Sequence, residues 1–182
     1  MKKLFTVLSA AFFAATASFA AEFKIEGDSS FDKGLKGKNG HFSVNGGGSK
    51  NAEYKIVKDE KNGQCLYIKT PAKSSAEFFL YRHIPVVKGK STVKFTLWMK
   101  GNGTLTLCNY GYDGTKTYKM YRRLKGMNAG IKINAPDWKK YTFEYDTAHI
   151  DAGVKYIFLA FVVHKNSELY FDNFEGAVNT AE

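Results

Sequence analysis

The sequence predicts an all-β protein, an antiparallel two-sheet β-sandwich. Short runs rich in Val, Ile, Phe, Tyr and Thr recur at close spacing with period-two alternation. Turn residues separate them, among them Asn62-Gly63, Asn102-Gly103 and Asp113-Gly114, pairs that accept the positive φ of a tight hairpin turn. Beyond the N-terminal segment no stretch carries the period of an amphipathic helix, and no internal repeat occurs. Many short strands at regular spacing make a sandwich or jelly roll.

The chain has 182 residues, enough for one domain with a full core. Met1-Lys2-Lys3 forms a positive start, residues 4–13 are apolar apart from Thr6 and Ser9, and Ser18-Phe19-Ala20 gives a small-x-small pattern. Residues 1–20 therefore read as a secretory signal cleaved before Ala21. A retained anchor would need a longer apolar stretch or a following charge cluster. The expected mature domain, 21–182, has 182 − 20 = 162 residues, and with Lys2 and Lys3 removed its charge is +10 − 2 = +8. The expected location is secreted or periplasmic.

Strands are predicted over 22–26, 41–44, 53–57, 65–70, 76–84, 91–100, 104–110, 117–121, 139–146, 155–164 and 168–174. Pro71, Pro85 and Pro136 fall at their edges or in loops. In the run 93–100, Val93, Phe95, Leu97 and Met99 share a core face. Trp98 stands on the other face among Lys94, Thr96 and Lys100, a large aromatic among polar neighbours. Next, Leu105 and Leu107 point inward and Thr106, Cys108, Tyr110 and Tyr112 outward. Over 155–164 both faces are apolar, which marks a central strand.

Export shifts the meaning of the basic charge. Nucleic acid is not the usual partner outside the cytoplasm, so the +8 suits an acidic polysaccharide, an anionic envelope, or a solvated face that aids solubility. Export also makes a Cys65–Cys108 disulfide accessible, although two cysteines in a chain with a full core are not a disulfide scaffold. The case for an enzyme is thin. Glu77, Glu144, Asp146 and Glu168 lie in no recognisable catalytic motif, and there is no nucleophile elbow, HExxH or phosphate-cradling glycine loop. His41, His83, His149 and His164 lack metal-ligand spacing.

Five segments, in order along the chain, resemble landmarks of secreted carbohydrate-binding modules of the CenC type. They are Ser30-Phe31-Asp32-Lys33-Gly34-Leu35, Gly63-Gln64-Cys65-Leu66-Tyr67-Ile68, residues 90–101, Trp138-Lys139-Lys140-Tyr141-Thr142-Phe143, and Leu169-Tyr170-Phe171-Asp172-Asn173-Phe174. The resemblance implies a galactose-binding-like jelly roll that binds glycan without catalysis, often alongside polysaccharide-degrading enzymes. It also implies a structural calcium at Asp32 and Asp172, with Asp32 where Glu is usual. The alternative is that Asp32 caps a turn and Asp172 binds nearby backbone amides.

Such modules often bind sugar with aromatics on a concave sheet face, where ring faces stack on sugar C–H groups. Trp98 and Tyr110, with Tyr112 and Tyr118 beside them, are the candidate platform. Arg82, Arg122 and Arg123 are candidates for hydroxyls or acidic groups. Each of these aromatics also has a packing role open to it, and Trp138 reads as structural. The expected function is noncatalytic binding of an extracellular poly- or oligosaccharide, an acidic one to be tried first. The alternatives are an adhesive envelope sandwich that binds protein partners, and a small polysaccharide lyase.

Overall fold

The computed structural model describes residues 19–25, 31, 35, 42–45, 50–59, 63–124 and 129–182, and among them it has eleven strands and no helix. The strands are β1 (Phe19–Ile25), β2 (Phe42–Val44), β3 (Glu53–Asp59), β4 (Gly63–Thr70), β5 (Ala76–Leu80) and β6 (Ile84–Pro85). They continue with β7 (Ser91–Tyr112), β8 (Tyr118–Arg123), β9 (Ile131–Asp146), β10 (Tyr156–Val163) and β11 (Ser167–Ala181). Expected residues 1–18 of the signal lie outside the described residues, as do His41 and Asp32. No described helix is long and apolar enough to cross a membrane.

All described pairings are antiparallel; the main path is β2-β5-β10-β7-β11-β4-β3, with β1 joined to β11, β6 to β10, and β8 and β9 to β7, in one curled sheet. The curl makes two layers. In the first, β11 and β9 flank the front half of β7, and β4, β3 and β1 continue outward from β11. In the second, β10 and β8 flank the rear half of β7, and β5, β6 and β2 continue outward from β10.

The front and rear halves of β7 correspond to the predicted runs 91–100 and 104–110, but Asn102-Gly103 between them is not a hairpin. The strand continues unbroken through Gly101, Asn102 and Gly103, bending there as it passes from one layer to the other. The glycines serve a close approach instead. A Cβ on Gly101, whose φ is +115, would lie 2.1 Å from the Glu168 carbonyl oxygen, and one on Gly103 would lie 2.4 Å from Ser167 Cβ. The start of β11 is pinned there: Ser167 N donates to Thr70 Oγ1 at 2.9 Å, and Thr104 N donates to Ser167 Oγ at 3.1 Å.

Other boundaries shift for local reasons. The predicted strand 76–84 breaks at Tyr81-Arg82-His83, where Arg82 N donates back to the Leu80 carbonyl at 2.8 Å. The predicted strand 139–146 begins eight residues earlier, at Ile131, because β9 is an edge strand that absorbs Pro136 in a bulge opposite Lys100. β3 and β4 pair up to Asp59 and Gly63, whose φ is +82, while Asn62 lies outside the described residues, and a hairpin also forms at Asp113. There the positive φ falls on Lys116, at 63°, and Asp113 Oδ1 accepts from the Thr115 and Thr117 amides, both at 2.9 Å.

The inward residues of β7 are all buried, as alternation requires. Aromatic contacts bridge the layers: Phe78 to Phe171 at 4.8 Å and Phe95 to Phe161 at 5.9 Å. Within β11 a bulge at Asn173, with φ +50, reverses the alternation. Leu169 and Phe171 face inward before it, Phe174 and Val178 after it.

Cys65 and Cys108 are both buried and free, one in β4 and one in the rear half of β7. The two layers set them apart, so the disulfide does not form. Burial pushes the Cys65 thiol up to about 11, with the negative charges of Asp172 and Asp59 adding to it. A thiol reagent at pH 8 is therefore expected to find almost no reactive cysteine in the native protein and two after denaturation without reductant. Recovery of no thiol from the unfolded chain would contradict this.

Candidate functional site

The faces of the two layers that point away from the core differ in chemistry. On the first layer that face is a lattice of ion pairs. Lys69 meets Glu168 at 3.0 Å, Lys94 meets Glu144 at 3.3 Å, Lys100 meets Asp59 at 2.5 Å, and Lys140 meets Glu175 at 3.7 Å, with Lys55 and Glu53 also in contact. Five lysines on this face therefore already have carboxylate partners. All of these but Lys100–Asp59 are exposed pairs, which contribute little stability each and make a solvated surface.

The corresponding face of the second layer is aromatic. Tyr112 lies 4.7 Å from Phe158, Phe158 lies 5.4 Å from Tyr81, Tyr110 lies 4.8 Å from Tyr121, and Tyr118 lies 6.1 Å from Tyr112 and 6.2 Å from Tyr110. Three of these rings are open to solvent: Tyr81 at 47%, Tyr118 at 53% and Tyr121 at 40% exposure. These rings form a contiguous, partly exposed aromatic patch, the kind of surface that suits contact with a ligand or partner. Register builds it. Phe158 is paired with Tyr110 across β10 and β7, and Tyr121 with Tyr110 across β7 and β8. A bulge at Lys119 in β8 then brings Tyr118 opposite Tyr112, so Tyr118 and Tyr121 share one face despite their odd spacing.

Polar groups sit below and beside the rings. Glu77 is buried, and its Oε2 accepts from Tyr110 OH at 2.8 Å and from Asn45 Nδ2 at 2.6 Å. Burial, reinforced by Glu77, raises the Tyr110 phenol well above its ordinary range. Burial likewise raises Tyr121, whose OH donates to Cys108 Sγ at 3.2 Å. Both phenols therefore stay neutral donors at any physiological pH. His83 stands edge-on to Phe158 at 4.7 Å and Tyr112 at 5.3 Å, and burial, with Lys116 nearby, lowers its pKa. His164 bonds Thr106 Oγ1 at 2.7 Å and is lowered by burial and by the Arg123 charge. Lys116 and Arg123 thus supply positive charge near the patch.

The structure gathers Tyr110, Tyr112 and Tyr118 as the sequence suggested, but separates Trp98 from them. Trp98 is in register with Asp172 and Lys140 on the charged layer, whereas Tyr110 lies beyond the bend in β7. Arg122 is paired with Asn109, on the opposite side of β8 from Tyr121, and its guanidinium binds Asp151 at 2.8 Å. Arg82 stacks over the Phe23 ring at 5.8 Å. The sequence does not single out Tyr81, Tyr121 or Phe158, and offers Glu77 only as a carboxylate outside any catalytic motif. Seeing them required knowing that 155–164 pairs with the rear half of β7, which alternation alone does not reveal.

The calcium expectation rests on Asp32, outside the described residues, and Asp172. Asp172 is fully buried, and its Oδ1 accepts from Asn173 N at 2.8 Å, holding the left-handed bulge residue. No three His, Cys, Asp or Glu side chains come together as a metal set among the described residues. Asp172 would supply one carboxylate of the six to eight oxygens calcium takes, and Asp32 with any backbone carbonyls would have to supply others.

No protein-family model matches the chain, and no curated protein sequence matches it. Solved structures do match. The chain is similar to the CBM22-1 xylan-binding domain of Paenibacillus barcinonensis Xyn10C, with TM-score 0.51 and 14% identity over 91% of this chain and 96% of that one. It is also similar to the Stig cyclase Fisc from Fischerella sp. TAU, with TM-score 0.54 and 11% identity over 89% of this chain and 100% of that one. The enzymatically active domain of tailspike protein 4 from bacteriophage CBA120 matches with TM-score 0.57 and 12% identity over 84% of this chain. The chain spans 21% of that tailspike domain. These likenesses establish the β-sandwich jelly-roll fold of carbohydrate-binding modules, a fold that also occurs in enzymes.

Proposed function

We propose that the protein is an exported, noncatalytic carbohydrate-binding domain that takes a poly- or oligosaccharide on the aromatic face of its second layer. The observation that carries this reading is the contiguous patch with Tyr81, Tyr118 and Tyr121 open to solvent. Sugar C–H faces stack on these rings, and phenol and carboxylate groups at the patch margin exchange hydrogen bonds with hydroxyls. The similarity to a xylan-binding domain supports the same reading at the level of fold.

Arg123 and Lys116 beside the patch favour an acidic glycan, since a carboxylate-bearing polymer passing the rings meets both charges. Affinity electrophoresis in gels cast with xylan, mixed-linkage β-glucan, galactan or alginate tests the proposal. Retardation by at least one polymer is expected. If alginate is bound, raising the salt should weaken its binding more than that of a neutral polymer. No retardation by any polymer, together with stoichiometric capture of one envelope protein, would replace this reading with the adhesive one.

A further inference from the structure

The charged face of the first layer contains one feature that its ion-pair lattice does not account for. A groove of about 390 Å³ opens beside β3, lined by Lys55, Asp59, Tyr67, Lys100 and Tyr170 among others. At its floor the Lys100 ammonium is 2.5 Å from Asp59 Oδ2, and this pair is mostly covered, with side-chain exposures of 23% and 12%. Lys100 also lies 4.8 Å above the Tyr170 ring and 5.0 Å above the Trp138 ring. Tyr67 packs against Tyr170 at 4.9 Å, and its OH donates to Glu168 at 3.1 Å.

We infer that this groove is a second sugar site, which grips a vicinal pair of hydroxyls on a pyranose unit. A donor and an acceptor fixed side by side match the two adjacent oxygens of a vicinal diol. One hydroxyl donates to the Asp59 carboxylate while its neighbour accepts from the Lys100 ammonium. The Tyr170 ring offers an apolar wall for the sugar's C–H groups. The Lys55–Glu53 pair lines the same groove but is exposed, with side-chain exposures of 59% and 41%, whereas the Lys100–Asp59 pair is covered and has rings beside it. The ligand class is a neutral polysaccharide whose units carry free vicinal hydroxyls.

This site stands independently of the aromatic face, because the two lie on different layers. A protein with both would hold two glycan chains at once and cross-link them. The test is amide chemical-shift mapping by NMR with xylohexaose and cellohexaose at millimolar concentration. Shifts are expected at the amides of Asp59, Lys100 and Tyr170. They should persist in a Tyr118→Ala/Tyr121→Ala variant, which leaves this groove intact. An Asp59→Asn/Lys100→Met variant removes both charges together, so that neither is left buried and unpaired. In that variant the shifts should vanish and the apparent Kd at this groove should weaken by about tenfold or more. The inference is overturned if neither oligosaccharide shifts those amides in the unmodified protein. It is equally overturned if the shifts survive in a folded Asp59→Asn/Lys100→Met variant. The wild-type map alone decides the matter if that variant does not fold.

Discussion

Gly101→Ala is expected to destabilise the protein by about 3 kcal/mol or more, and to leave little folded material at 37 °C if the starting stability is ordinary. Two costs add. The backbone at Gly101 has φ +115, a region L side chains rarely adopt. The new methyl would also lie 2.1 Å from a backbone carbonyl, that of Glu168, which cannot swing aside. Relief would need β11 to lift from β7, and β11 is the strand that joins β7 to β4. Gly114→Ala serves as the control: nothing lies within 4 Å of its Cβ position, and the change should be nearly silent. Urea unfolding followed by circular dichroism measures both. Equal midpoints for Gly101→Ala and Gly114→Ala would contradict this account of the bend.

The second large effect concerns binding. Replacing Tyr118 and Tyr121 together with alanine is expected to weaken glycan binding at the aromatic face by about a hundredfold, roughly 1–2 kcal/mol for each stacked ring. The fold should tolerate the change, since β8 is an edge strand and both rings are half open to water. Tyr121→Phe keeps the ring and loses the donor to Cys108, so it should bind close to wild type. A double variant that melts normally and still binds within twofold of wild type would remove the aromatic face from the account.

Much of the fold was legible in the residues, because alternation is a local signal. The inward set Val93, Phe95, Leu97 and Met99 is buried as alternation demands. What failed was non-local. Asn102-Gly103 carries the turn signal of a hairpin, yet its neighbouring glycines answer to a strand about 65 residues away, at Ser167 and Glu168. Asn173 gives no warning that it will reverse the alternation and turn Phe174 into the core.

The site was half legible for the same reason. Tyr110, Tyr112 and Tyr118 lie close together in sequence and stay together in space. Trp98 drew attention as an aromatic among polar residues, but the bend in β7 carries it to the other layer. Arg122, a candidate for hydroxyls or acidic groups, is placed by register across the strand from Tyr121 and bound to Asp151. Charge was the least informative of all, since net charge says nothing of which lysines already have partners. Five on one face do.

The most direct test of the central claim runs three proteins side by side through gels containing the glycan that retards wild type: wild type, Trp98→Ala and Tyr118→Ala/Tyr121→Ala. Trp98→Ala should be retarded like wild type, while the double tyrosine variant should lose most of the retardation and keep no more than the groove beside β3 supplies. Retardation lost on removing Trp98 and kept without the two tyrosines would contradict that claim.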